Sequence, residues 1–179
     1  RIVKDCVLSR VLEDFPAARI VHRLDLDTSG LVILSLSKPS VSAMNRLFRE
    51  RLIKKTYTAR VNGLVREDTG SIDFPLAADP VDRPKQRLDR VSGKSALTRF
   101  EVIERCDSET RLSLQPITGR QHQLRLHLAL LGHPILGCDL YADETAYAKA
   151  DRLMLHSTKM AFPHPITEEC LALESDVPF

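Results

Sequence analysis

The chain has 179 residues, 43% of them apolar and 28% charged, and its 26 Lys and Arg against 24 Asp and Glu give a formal net charge of +2. This composition excludes the disordered and fibrous classes, and a chain of this length can bury roughly 70% of the surface its unfolded form exposes. No apolar run approaches the roughly 18 to 20 residues of a membrane span, and the opening RIVKDCVLSR lacks a signal-peptide core. A cytoplasmic protein with no membrane partner is therefore expected. Cys6, Cys106, Cys138 and Cys170 are scattered without CxxC spacing, which argues against a disulfide framework or a zinc site and predicts small buried residues.

Taken in chain order, Val3, Cys6, Val7 and Val11 fall at helical spacing and Pro16 ends the run, so a helix is predicted from Val3 to Asp14. GLVILSLS (30 to 37) is β-branched and apolar between a Gly and Pro39, the profile of a buried strand. Pro39 can open an amphipathic helix with Val41, Met44, Leu47, Phe48 and Leu52 on one face. KKTYTARVNG alternates as a strand. Residues 63 to 85 hold Pro75, Pro80 and Pro84 and predict a loop excursion with one short strand near Ile72. SALTRFEVIER and ETRLSLQPI read as a hairpin. In TGRQHQLRLHLALLGHP the ends favour a helix from about 120 to 131, with Thr118 and Gln121 as a capping box and Gly132 and Pro134 as the stop. A short helix near 144 to 152 and strands near 155 to 162 and 169 to 174 complete the list. The fold class is α+β, with flanking helices on a largely antiparallel central sheet.

The near-neutral total conceals a polarised chain. Residues 46 to 60 carry six basic residues against Glu50, and residues 83 to 99 carry six against Asp89, while 61 to 82 sum to −4 and 139 to 179 to −5. Two +5 segments suit a polyanion. A solvated helix face and an ordinary basic loop would carry the same charge.

The six histidines form no HExxH pattern, and no glycine loop resembles GxxxxGK[ST] or GxGxxG, so neither a metal nor a nucleotide cofactor is expected. Carboxylates remain. VHRLDLDTSG packs His22, Arg23, Asp25, Asp27, Thr28 and Ser29 into a loop that enters an apolar run. An extended conformation would place Arg23, Asp25 and Asp27 on one face and His22 and Leu24 on the other. A surface turn with incidental ion pairs has the same composition.

HRLDLDTSG resembles the signature loop of the RluA-type pseudouridine synthases. The chain is also similar to that family in KKTYTARVNG, in TGRQHQLRLH, in GHPILGCDLY through Tyr141, and in RPKQ (Arg83 to Gln86) and the closing LHSTKMAFPHP, the last two pointing to the RluA subgroup. The resemblance implies a single catalytic domain over residues 1 to 179 with an RNA-binding cleft. It also implies cofactor-free isomerisation of uridines in large-subunit ribosomal RNA, in a tRNA anticodon stem-loop, or in both. Asp25 would be the catalytic carboxylate, Arg120 its salt-bridge partner, and Tyr57 the active-site tyrosine that stacks on the base. Arg23 would fill the place of the extruded uridine, at a cost of a few kcal/mol of unstacking. Asp27 would stabilise the loop. Lys54, Lys55, Arg83, Lys85, Arg87, His122 and Arg125 would meet the RNA, and the protein would act as a monomer. Family members normally carry a Lys-Pro-x-Gly segment on a strand some tens of residues before the HRLD loop. Residues 1 to 21 hold none and the chain opens on Arg1, so an N-terminal truncation is expected. Two other readings compete: a non-catalytic RNA-binding or RNA-chaperone module on the same fold, and a hydrolase using Asp25 and Asp27 as an acid and base pair.

Overall fold

The computed structural model describes residues 5–179. Helix α1 (Val7–Asp14) ends as predicted but begins late, with Cys6 an extended N-cap whose backbone N–H bonds to the Ser9 hydroxyl; Val3, the expected start, lies outside the described residues. The run from 30 to 37 is not one buried strand. It is split between β2 (Ser29–Gly30) and β3 (Leu34–Ser35), the latter pairing antiparallel with β1 (Arg19–Ile20). The reason lies in where its donors go: Leu31 N–H donates to the Ser157 carbonyl (2.9 Å) and Ile33 N–H to His22 Nε2 (2.8 Å), so no continuous ladder forms.

Helix α2 (Lys38–Arg49) starts at Ser37, where Ser37 and Ser40 exchange side-chain-to-backbone hydrogen bonds, and it ends with Arg46 and Arg49 beside the negative end of its dipole. Its buried Met44 and Leu47 meet Ile53, Met160 and Phe162 in one apolar cluster, with Leu31 and Ile33 packed on its edge. Strand β4 (Lys54–Asn62) follows as predicted.

Beyond β4 come β5 (Thr69–Asp73), β6 (Leu76–Ala78) and β7 (Gln86–Leu88). The excursion thus holds the expected strand at Ile72 and, in addition, a small β6–β7 arm. Leu76, 2% exposed, fastens that arm by packing on Ala96 and Leu126 and bridging to Lys94. The hairpin of β8 (Leu97–Cys106) and β9 (Glu109–Pro116) forms where its alternation places it. Helix α3 (Gln123–Leu130), the short α4 (Glu144–Ala148), β10 (Leu155–Pro163) and β11 (Cys170–Glu174) complete the chain. Six strands run antiparallel in the order β11-β10-β4-β9-β8-β5, and β2 joins β10 in parallel. Leu124 and Leu128 of α3 pack with Ala59, Val61, Leu112 and Leu114 of the sheet in the main core. Of the cysteines only Cys138 is buried; Cys6, Cys106 and Cys170 are exposed, against the expectation of small buried residues.

α3 begins later than predicted. Thr118 and Gln121 form no capping box: Thr118 Oγ1 donates instead to Gln123 Oε1 (2.7 Å), which also accepts Arg120 N–H (3.0 Å), while Gln123 Nε2 reaches Leu97 O and Thr98 Oγ1. One buried amide therefore uses its full hydrogen-bonding capacity to hold residues 118 to 122 as a non-helical turn on β8.

The HRLDLDTSG loop is fastened at both ends. Gly30, at φ +103°, lies so close to β10 that a Cβ there would stand 2.3 Å from the Ser157 carbonyl oxygen. Ser29 Oγ shares a 2.8 Å hydrogen bond with His156 Nδ1. At the front, His22 accepts from Ile33 and packs on Phe48, and burial, reinforced by the Lys55 charge, lowers its pKa to about 4.

Two outcomes follow from these anchors. Gly30→Ala should lose roughly 2 kcal/mol or more of unfolding free energy in urea titration, since both the strained φ and the backbone contact oppose a methyl group. For His22 the folded pKa lies below the unfolded one, so the unfolded state takes up the proton first as pH falls, and stability declines from about 6.5 towards about 4. His22→Gln, whose amide oxygen can still accept the Ile33 N–H, should flatten that decline in urea midpoints measured across the same window.

Candidate active site

A cleft of about 960 Å³ opens where the two larger apolar clusters part, bordered by Phe48, Ile53 and Met160 on one side and by Tyr57, Leu124 and Leu155 on the other. The HRLD loop forms one wall and the turn 115 to 123 forms the other. Among the described residues seven cations line it, Arg23, Arg49, Arg51, Lys54, Lys55, Arg120 and Lys159, against only Asp25 and Glu174. Glu174 is already paired with Lys159 at 2.9 Å.

Asp25 sits in a tight turn closed by Thr28 N–H on its own carbonyl (3.1 Å), and its side chain is 20% exposed. The turn brings His22, Arg23, Leu24 and Asp25 all to the cleft, so the two faces expected of an extended segment do not separate. Asp27 is exposed and does not line the cleft. Tyr57, on β4, lies in register between Ser157 of β10 and Leu114 of β9. Burial raises its pKa; the Ser157 hydroxyl, without a well-formed hydrogen bond of its own, lowers it; and the Asp25 charge raises it again. Lys55, two residues earlier on the same strand, is held below its ordinary pKa by burial. Groups at the floor of the cleft thus resist charging in either direction.

Arg120 is on the wall but not on Asp25. Its Nε donates to the Ser95 carbonyl (3.0 Å), and among the described residues the nitrogen recorded within 4.0 Å of the Asp25 carboxylate is His122 Nε2. The cause is the late start of α3: His122 adopts φ +53°, a left-handed conformation that swings its ring towards Asp25. Burial lowers the His122 pKa, the Asp25 charge raises it and Arg125 lowers it. Arg125 itself, expected to meet RNA, is 3% exposed and is consumed by Asp139 and by Cys138 Sγ. Arg83, Lys85 and Arg87 lie on the β6–β7 arm outside the cleft lining; Lys85 pairs with Asp82 (2.7 Å) and Arg87 with Asp89 (3.5 Å). Lys54, Lys55 and Arg23 do line the cleft.

Sequence reasoning missed three participants. Arg49 and Arg51 were visible as members of the first basic segment, yet nothing distinguished them from a solvated helix end. Tyr141 closes the GHPILGCDLY stretch, but its partners stand 19 and 55 residues away, beyond any local pattern: its hydroxyl meets His122 Nδ1 (2.8 Å) and accepts Gln86 N–H (2.8 Å). Among the described residues no three His, Cys, Asp or Glu side chains converge as metal ligands.

The family model described as RNA pseudouridylate synthase matches residues 9–130. A dual-specificity RNA pseudouridine synthase RluA of Yersinia pestis is 50% identical over 163 residues, 90% of this chain and 79% of the relative. The enzyme of the same name from Escherichia coli (strain K12) is 44% identical over 177 residues, 98% of this chain and 81% of the relative. Among solved structures, human RNA pseudouridylate synthase domain containing 1 superposes with a TM-score of 0.87 at 29% identity, covering 100% of this chain and 76% of that one. The match over residues 9–130 and the 50% identity to the Yersinia pestis enzyme show that the chain belongs to the RNA pseudouridine synthase family.

Proposed function

We propose that this chain converts uridine to pseudouridine in structured RNA, in large-subunit ribosomal RNA, in a tRNA anticodon stem-loop or in both, with Asp25 as its catalytic carboxylate. The observation that carries this reading is a single carboxylate free, among the described residues, of a cationic side-chain partner within hydrogen-bond distance, beside seven cations in one cleft. The relatives named above are dual-specificity enzymes, which supports two kinds of target.

In the reaction the bond from ribose to N1 breaks, the base turns, and C5 bonds to the ribose; C5 gives up its hydrogen as a proton and N1 gains one. Atoms balance without a cofactor. Asp25 acts at the sugar or at the base as a nucleophile or general base. Tyr57, at the floor, stacks on the base and helps to remove the C5 proton. Arg23, exposed on the wall, occupies the gap left by the extruded uridine. Arg49, Arg51, Lys54 and Arg120 follow the phosphates, which supplies affinity with little base information, so RNA shape does most of the selecting.

Two measurements test this. RNA carrying tritium at uridine C5 should lose it to water with the wild-type chain, and Asp25→Asn should slow release on the order of a thousandfold; full release by that variant would remove Asp25 from the chemistry. A wild-type chain that binds RNA but retains all the tritium would instead be an RNA-binding module. Replacing Arg49 and Lys54 together by Gln should weaken RNA binding and reduce the slope of log affinity against log salt by about 0.7 to 0.9 per lost phosphate contact.

A further inference from the structure

We propose that Tyr141 is a positioning residue for the reaction: by donating its phenolic hydrogen to His122 Nδ1 it fixes the tautomer that presents Nε2–H to Asp25, and so ties the catalytic carboxylate to the β6–β7 arm. The inference rests on the reading of Asp25 given above and adds to it a residue that never touches substrate, since Tyr141 does not line the cleft.

The geometry determines the direction of each proton. Gln86 N–H can only donate, so the Tyr141 oxygen accepts at 2.8 Å and its own hydrogen is left for His122 Nδ1, also at 2.8 Å. With Nδ1 as acceptor, a neutral ring carries its proton on Nε2, which faces Asp25 Oδ1 at 4.0 Å. The opposite tautomer would turn a nitrogen lone pair onto a carboxylate. Both ends of the ring therefore select the same form. Burial pushes the Tyr141 phenol up to about 12, so it remains a donor throughout the neutral range.

The parts are held in place. Arg125 stands 5.7 Å from the centroid of the Tyr141 ring, and its guanidinium is itself tied to Asp139 and Cys138. The Tyr141 and His122 rings meet edge to face at 5.8 Å and 73°. The 4.0 Å gap to Asp25 exceeds a hydrogen bond and closes with a shift of about 1 Å, the kind of tightening expected when substrate fills a site. Gln86 belongs to β7 of the arm that carries Arg83, Lys85 and Arg87. A displacement of that arm moves the first donor of the series, so its position is felt at Asp25.

Tyr141→Phe keeps the ring and its stacking under Arg125 and deletes only the hydroxyl. We expect kcat for tritium release to fall about tenfold, the scale of one lost hydrogen bond in the transition state, with KM for the RNA changed less than twofold. His122→Asn tolerates the left-handed backbone and removes the ring. If Tyr141 acts through His122, adding Tyr141→Phe to that variant should cost nothing further. Imidazole 15N shifts supply a reading independent of turnover: wild type should show His122 protonated at Nε2 with Nδ1 an acceptor, and Tyr141→Phe should lose that preference. Undiminished kcat in Tyr141→Phe, additive losses in the double variant, or a wild-type His122 protonated at Nδ1 would each overturn the proposal. A wild-type chain without tritium release would overturn the enzymatic reading instead, and the 15N pattern would still judge the tautomer.

Discussion

The cleft depends on the close approach of two backbones, Ser29–Gly30 lying parallel to His156–Ser157 of β10. At that crossing no Cβ fits, and two hydrogen bonds flank it, from Leu31 N–H to Ser157 O and between Ser29 and His156. Asp25 is only five residues upstream, with a tight turn between, so the docking of Gly30 determines where the carboxylate stands. Ser157 faces Gly30 on one edge of β10 and Tyr57 on the other. One strand thereby sets the spacing of the Asp25 carboxylate and the Tyr57 phenol.

Around that frame the electrostatics divide by depth. At the floor, burial keeps His22 and Lys55 from holding a proton at their ordinary pKa and keeps Tyr57 from losing one. At the rim, Arg49, Arg51 and Lys54 stand in solvent. An exposed cationic rim draws phosphates from a distance that salt shortens, whereas in the drier interior each interaction with Asp25 is stronger and less screened. In the function proposed above, docking of RNA falls to the rim and chemistry on uridine to the floor of the same cleft.

Much of the fold was legible because its signals are local. The α2 pattern, the alternation of β4 and the β8–β9 hairpin each repeat within one element, and all three form within a few residues of their expected bounds. The run 30 to 37 misled because its apolar residues serve a different need. Leu31 and Ile33 fill the edge of the α2 cluster while their N–H groups bond to Ser157 and His22. The start of α3 misled because Gln123, not Gln121, had the reach to take both Thr118 and Arg120 while bonding β8.

By itself, the sequence determined the α+β class, the HRLD loop with Asp25, the strand bearing Tyr57 and the first basic segment, since motif order and periodicity are properties of neighbours along the chain. Tertiary structure alone decided that His122 rather than Arg120 stands nearest Asp25, that Arg125 is buried over the Tyr141 ring, and that the second basic segment lies outside the cleft. The physical reason is the same in each case. A charged side chain acts according to its burial and its partners, and those partners come from elements tens of residues away, brought together only when the sheet closes.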